Sequence, residues 1–282
     1  MRWLVVGAAG MLGRELVDLL EARDADVRGL TRADVDVADA AAVDSVVRGY
    51  DVVVNCTAYT AVDAAETDEP AAFAVNAVGA ANLARATWRI GGRFVQVSTD
   101  YVFDGAASEP YGPDAPLAPR SAYGRTKAAG EWAVRAECPD HLLVRTAWLY
   151  GAHGACFPKT IARVARERGG LDVVDDQLGQ PTWTFDVADL VHRLVTAGVP
   201  AGTYHGTASG STSWHGFARA VVGAAGLDPQ IVRPTTSAAF ERPAPRPAYS
   251  VLDHASLTEA GVAPIGAWDA RWATAAPSVL AS

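Results

Sequence analysis

Short runs of consecutive apolar, often β-branched residues alternate along the first half of the chain with longer stretches of helical periodicity. Trp3–Val6, Asp26–Leu30, Asp51–Asn55, Arg93–Thr99 and Leu142–Thr146 read as strands. Between them, Met11–Ala22, Asp39–Arg48, Ala71–Ile90 and Tyr123–Glu137 read as helices. The strand candidates are continuously apolar rather than alternating, as a parallel sheet covered on both faces requires. The expected class is therefore α/β, with a doubly wound parallel sheet. After Gly151 the texture changes. Helical patterns at Phe157–Arg168, Asp186–Ala197 and Ser213–Ala225 mix with short strands near Asp172–Val174, Thr203–His205 and Ile231–Arg233. A proline-punctuated stretch, Arg242-Pro243-Ala244-Pro245-Arg246-Pro247, cannot be regular helix. The second half reads as a smaller α/β lobe beside the sheet.

Composition narrows the function classes. The 282 residues are 50% hydrophobic and 20% charged, enough to bury a core without metal or disulfide staples. A net charge of −8 argues against a generic nucleic-acid binder, which needs clustered cations, though a basic pocket for one small anion stays open. Three cysteines, Cys56, Cys138 and Cys156, show no paired spacing, so neither a disulfide framework nor a zinc site is expected. The six histidines are scattered without ligand spacing, and no metal is expected. No apolar run approaches the roughly 18–20 residues of a membrane helix. A cytoplasmic protein, monomeric or a homodimer, is the expectation.

Gly7-Ala8-Ala9-Gly10-Met11-Leu12-Gly13 follows the first strand and opens the first helix. Gly7 suits a tight turn, Gly10 lets backbone approach a pyrophosphate, and Gly13 permits close helix–strand packing. A ligand-free glycine-rich turn would look similar, but the position at the first βα junction is that of a Rossmann-type dinucleotide site. The second strand ends in Leu30-Thr31-Arg32. Arg32 could hold a 2′-phosphate, which favours NADPH over NADH, or could simply face solvent. Asp36 and Val37 are placed to meet an adenine, the apolar side chain packing and the carboxylate capping the amino group.

Tyr123 and Lys127 stand four residues apart in a helical stretch and so share one face. An ammonium there can hold the phenol nearer neutral pH and share a cofactor ribose. Alone the pair is weak evidence; its value depends on a hydroxyl at the end of the fourth strand. Ser98 and Thr99 supply one, at the edge where open α/β sheets bind ligands, although strand alternation prevents both from facing the same way.

Gly7-x-x-Gly10-x-x-Gly13, Ser98-Thr99-Asp100 and Tyr123-x-x-x-Lys127 together resemble an extended short-chain dehydrogenase/reductase. Finer motifs are Asn55-Cys56-Thr57-Ala58-Tyr59-Thr60-Ala61-Val62-Asp63, Ser98 to Gly105, Arg145 to Gly151, and Asp176-Gln177-x-Gly179-Gln180-Pro181-Thr182. These are similar to the dTDP-4-dehydrorhamnose reductase family, and the likeness runs from Gly7 to Leu252. It implies NADPH-dependent reduction of the 4-keto group of a dTDP-linked 6-deoxyhexose. By motif position Thr99 would polarise the ketone, Tyr123 donate the proton, and Lys127 orient ribose and phenol. Gly10, Met11, Leu12, Asp36, Val37, Thr57, Ala58 and Tyr59 would line the cofactor, with Asn76 ordering the site. Asp100, Tyr101 and Trp148 would contact the sugar nucleotide; by their chemistry Gln180 and Arg246 could face its diphosphate. The dinucleotide domain would comprise residues 1–150 with about 184–204, and the sugar-nucleotide lobe about 151–183 with 205–282. Cys56-Thr57 departs from a more usual alanine pair. Dehydratase relatives place a glutamate directly after the Thr-Asp pair, where this chain has Tyr101, which disfavours dehydratase and epimerase chemistry. A non-catalytic cofactor-binding subunit would usually lose one of Thr, Tyr or Lys, and all three are present.

Overall fold

A computed structural model describes residues 1–281. Six parallel strands form the central sheet: β1 (Arg2–Val6), β2 (Asp26–Leu30), β3 (Val52–Asn55), β4 (Arg93–Thr99), β5 (His141–Thr146) and β7 (Gly202–His205). Their order across the sheet is β7-β5-β4-β3-β1-β2. The chain therefore reverses its direction of winding between β1 and β3, where both pair with in-register partners such as Val5↔Val54.

Alternation within each strand explains why both faces are apolar. Trp3 and Val5 pack on one side with Leu16, Leu20, Leu190 and Val191. Leu4 and Val6 pack on the other with Val43, Leu83, Phe94 and Leu143. Each such fully buried aliphatic side chain contributes roughly 1.5–3 kcal/mol. The covering helices are α1 (Met11–Glu21), α2 (Ala40–Val46), α3 (Ala80–Arg89), α4 (Ala122–Glu137) and α6 (Thr184–Thr196). Asp39 caps α2 by accepting from the Ala41 and Ala42 N–H groups, and Ser121 caps α4 through the Gly124 N–H.

The second lobe gathers α5 (Phe157–Arg168), α7 (Trp214–Ala224), α8 (Trp268–Leu280) and the parallel pair β6 (Leu171–Val174) and β8 (Val232–Thr235). Tyr150, Ile161, Phe217, Trp272 and Val279 form its core. The proline-punctuated stretch 242–247 contains neither helix nor strand.

The α/β class and parallel sheet are as read from the pattern, with two local differences. The expected continuous helix over 71–90 is interrupted: a turn at Glu69–Phe73 passes through a π-helical segment, Ala74–Gly79, before α3 begins. The widened turn presents Asn76 inward, and apolar periodicity does not register one inserted residue. Helix α8 escaped the reading altogether. It is alanine-rich, lacks a side-chain cap and contains Pro277, so only the burial of Trp272, Ala275, Ala276 and Val279 against the lobe reveals why it forms.

Candidate active site

At the C-terminal edge of the sheet the first turn closes tightly. The Gly7 and Ala8 N–H groups donate to the Leu30 carbonyl, tying this turn to the end of β2. A side chain on Gly13 would meet the Gly7 carbonyl oxygen at 2.2 Å, so only glycine lets α1 start here. Gly10 precedes α1 with no side-chain cap, and the helix's first turn carries no acidic residue. An uncapped helix N-terminus with no competing carboxylate suits a pyrophosphate. Leu12 is buried in the sheet core, leaving its backbone for such a ligand, whereas Met11 is half-buried toward the second lobe. Arg32 is exposed just beyond β2, and the neighbouring turn is closed by Thr31 donating to Asp34.

Val37 is buried and packs under Gly79. Asp36 stays exposed, accepting from the Ala38 N–H. Glu15 on α1 is half-buried and accepts from Thr184 at 3.2 Å. Burial raises its carboxyl above the usual range.

Beside β3 and β4, polar side chains lock one another. Asn55 donates to Gln96 at 2.9 Å and accepts from the Thr57 N–H and hydroxyl, fixing the Thr57-Ala58-Tyr59 turn. Asn76 accepts from the Tyr59 N–H at 2.8 Å and donates to Thr126 at 3.0 Å, which joins that turn to α4. Helix α4 approaches the Asp100–Val102 turn closely. A Cβ on Gly124 would sit 2.2 Å from the Tyr101 carbonyl oxygen, so glycine at this position brings its neighbour Tyr123 to the end of β4.

Thr99 and Ser98 point to opposite sides of β4, as alternation demands. Thr99 accepts from the Tyr101 N–H and donates to Asp100 at 2.8 Å. Asp100 is buried, and burial pushes its carboxyl up to about 6 against the opposing effect of the Ser250 and Thr99 hydroxyls. Tyr123 lies edge-on to Tyr101 at 5.6 Å. Burial pushes the Tyr123 phenol up to about 12, partly offset by the Thr99 hydroxyl. This runs against the expectation that Lys127 draws the phenol down. The Lys127 ammonium donates instead to the Val97 carbonyl at 2.7 Å, and its charge does not act on the phenol. Lys127 itself is buried and pushed down to about 8.

The second-lobe candidates divide. Tyr101 and Arg246 line a cleft of about 860 Å³ between α5, β6 and the proline-rich stretch, together with Trp214, Gln177 and Arg168. Arg246 is held by Asp63 at 2.9 Å. Gln180 does not offer its amide to that cleft. It is buried, donating to the Leu252 carbonyl at 3.1 Å and accepting from the Leu252 N–H at 2.8 Å, so it clips the strap after the prolines. Trp148 adopts a left-handed backbone (φ 47°) and stacks its ring on Trp214 at 3.5 Å.

The whole chain bears comparison with known proteins. The RmlD substrate binding domain family matches residues 1–279. A dTDP-4-dehydrorhamnose reductase of Streptomyces griseus is 48% identical, covering 99% of this chain and 94% of that protein. The chain belongs to the dTDP-4-dehydrorhamnose reductase family. A dTDP-4-keto-6-deoxy-D-glucose reductase of Streptomyces niveus is 46% identical over 98% of this chain and 96% of its own length. The dTDP-4-dehydrorhamnose reductase of Bacillus anthracis, solved in complex with NADP, superposes with a TM-score of 0.94 at 34% identity, covering 97% of this chain and 98% of that one.

Reading residues by motif missed a buried polar tier next to Lys127. Gln96 donates to the same Val97 carbonyl that Lys127 uses. Glu131 and Arg145 form a doubly hydrogen-bonded pair at 2.9 and 2.8 Å, both almost fully buried. One signal was available: Lys127 and Lys159 are the only lysines in a chain otherwise supplied with arginine. A buried cation that must be a compact ammonium is one that arginine cannot replace.

Proposed function

We propose that this protein is an NADPH-dependent 4-ketoreductase acting on a dTDP-linked 4-keto-6-deoxy-L-hexose, with dTDP-4-dehydro-L-rhamnose converted to dTDP-L-rhamnose. The observation that carries the reading is the meeting of Thr99, Tyr123 and Lys127 beside an uncapped α1 N-terminus, with a cleft opening from Tyr101 and Arg246. NADPH, when bound, supplies the hydride. The Gly10–Gly13 turn would hold its pyrophosphate and Arg32 its 2′-phosphate, with the Thr57-Ala58-Tyr59 turn and Asn76 shaping the wall. Residues 1–150 with about 184–204 carry this half of the site, and the remaining residues the sugar nucleotide.

On this reading the Tyr123 phenol, protonated throughout the neutral range, gives its proton to the substrate oxygen as that oxygen gains charge. Thr99 would turn its one hydroxyl hydrogen from Asp100 to the same oxygen, and two donors in a water-poor edge stabilise an alkoxide better than water does. The Lys127 ammonium, one helical turn along α4 from Tyr123, would offset the charge left on the phenol. Asp100 accepts from a sugar hydroxyl, and Arg246 exchanges Asp63 for the diphosphate. The 46% identity to the D-glucose-series reductase favours one second reading, a 4-ketoreductase for another deoxysugar.

Incubating the protein with NADPH and dTDP-4-dehydro-L-rhamnose, following nicotinamide absorbance and identifying the product by NMR, tests both. Turnover to dTDP-L-rhamnose is expected. Cofactor binding without oxidation by any dTDP-4-keto sugar would overturn the enzymatic reading, and turnover only with a D-configured substrate would select the second.

A further inference from the structure

The buried tier beneath the site contains more charge than a scaffold needs. Tyr123, Lys127 and Glu131 follow one another at four-residue intervals along the inner face of α4. Glu131 is 0% exposed and Arg145 on β5 is 1% exposed, and the guanidinium grips both carboxylate oxygens. Arg145 is itself held: it donates to the Pro113 carbonyl at 2.9 Å, lies 4.9 Å over the Phe103 ring and approaches His205 at 3.4 Å. Burying such a pair costs several kcal/mol per ion before its attraction is counted, so stability alone is a poor reason to have it.

We propose that Glu131, fixed by Arg145, is a positioning residue that holds Lys127, one helical turn before it on the buried face of α4, in its ammonium form. The inference rests on the role given to Lys127 above.

The groups around Lys127 make Glu131 the decisive one. Burial acts first and drives Lys127 down toward the neutral form, and the Glu131 carboxylate opposes it. The only other ionisable group acting on it is Cys56, beyond β3, whose thiol burial pushes up to about 12 and so leaves uncharged. Burial would likewise raise Glu131, but the hydrogen bonds and charge of Arg145, with Arg135 beyond it, hold it ionised. His205, beside Arg145, is pushed down to about 3 by burial and stays neutral. The charges thus alternate from Lys127 to Glu131 to Arg145, anchored at the far end by β5.

The sequence permits a direct test, because only Lys127 and Lys159 would give signals after lysine-selective isotope labelling. Lys159→Arg identifies the Lys127 resonance, since Lys159 lies far from the tier, donating to the Ala152 carbonyl. Titrating that resonance should show Glu131→Gln lowering the Lys127 pKa by about one unit, a tenfold change in its protonation equilibrium. The alkaline limb of kcat/KM should move to lower pH by the same amount. Because Glu131→Gln strands a buried guanidinium and could unfold the chain, Glu131→Gln/Arg145→Met provides a variant without an unpaired charge; it too should lower the Lys127 pKa. A folded double variant whose Lys127 titrates as in the parent overturns the inference, as does a shifted titration with an unmoved pH profile. Failure of the reductase reading would look different, with Lys127 responding to Glu131 but no dTDP-4-keto sugar being turned over.

Discussion

Replacing Tyr123 with phenylalanine separates catalysis from folding at this site. The ring keeps its edge-on contact with Tyr101, and the oxygen that is lost has the Thr99 hydroxyl as its protein partner. Thr99 retains Asp100 as acceptor, so no buried donor is left stranded. The stability cost is therefore that of one ordinary hydrogen bond, about 0.5–1.5 kcal/mol. The kinetic cost is of another size. A positioned general acid contributes about 10²–10⁴ in rate, equivalent to roughly 3–5 kcal/mol of barrier. Steady-state turnover at saturating NADPH, paired with cofactor titration by fluorescence and a urea melt, should show turnover down at least a hundredfold. Cofactor affinity should change by less than about threefold and the unfolding midpoint only slightly. A Tyr123→Phe protein that turns over within threefold of the parent would remove Tyr123 from proton donation, and with it the chemistry proposed for this edge of the sheet.

Three further outcomes are expected. Because burial pushes Lys127 down to about 8 and the ammonium is the active form, kcat/KM should be full below that pH and fall as pH rises through it; a rate flat to pH 10 would contradict this. Asp100→Asn should slow turnover yet raise the melting temperature at pH 7.5. The folded-state pKa of Asp100, about 6, exceeds its ordinary value, so the ionised form destabilises the fold above pH 6. The gain, on the order of 1–3 kcal/mol, should disappear below about pH 4, where both states are protonated, and a loss of stability at pH 7.5 would contradict the account. Arg32→Ala should weaken NADPH by about tenfold relative to NADH in parallel binding titrations; an unchanged ratio would leave Arg32 as a solvent-facing side chain.

What the chain determined by itself is what depends on periodicity and on short-range geometry. Continuous apolar strands at β1, β3 and β5 dictate a sheet covered on both faces, and the glycines from Gly7 to Gly13 can serve only a close strand–helix turn. Four-residue spacing alone puts Tyr123 and Lys127 on one face of α4. The family, too, was legible, because its motifs lie in continuous stretches.

Tertiary packing decided the rest, since the deciding contacts join residues far apart in the chain. Gln180 has the chemistry of a ligand-facing amide, yet Leu252, seventy-two positions on, takes both its donor and its acceptor. That Val37 packs under the π-helical segment at Gly79 is likewise set by residues some forty positions apart. The phenol of Tyr123 sits far above neutrality rather than near it, because burial, which no local pattern reports, outweighs the nearby hydroxyl. The same holds for Glu131 and Arg145. One lies on a helix and one on a strand, and nothing in either stretch announces a buried ion pair until the fold removes both from water.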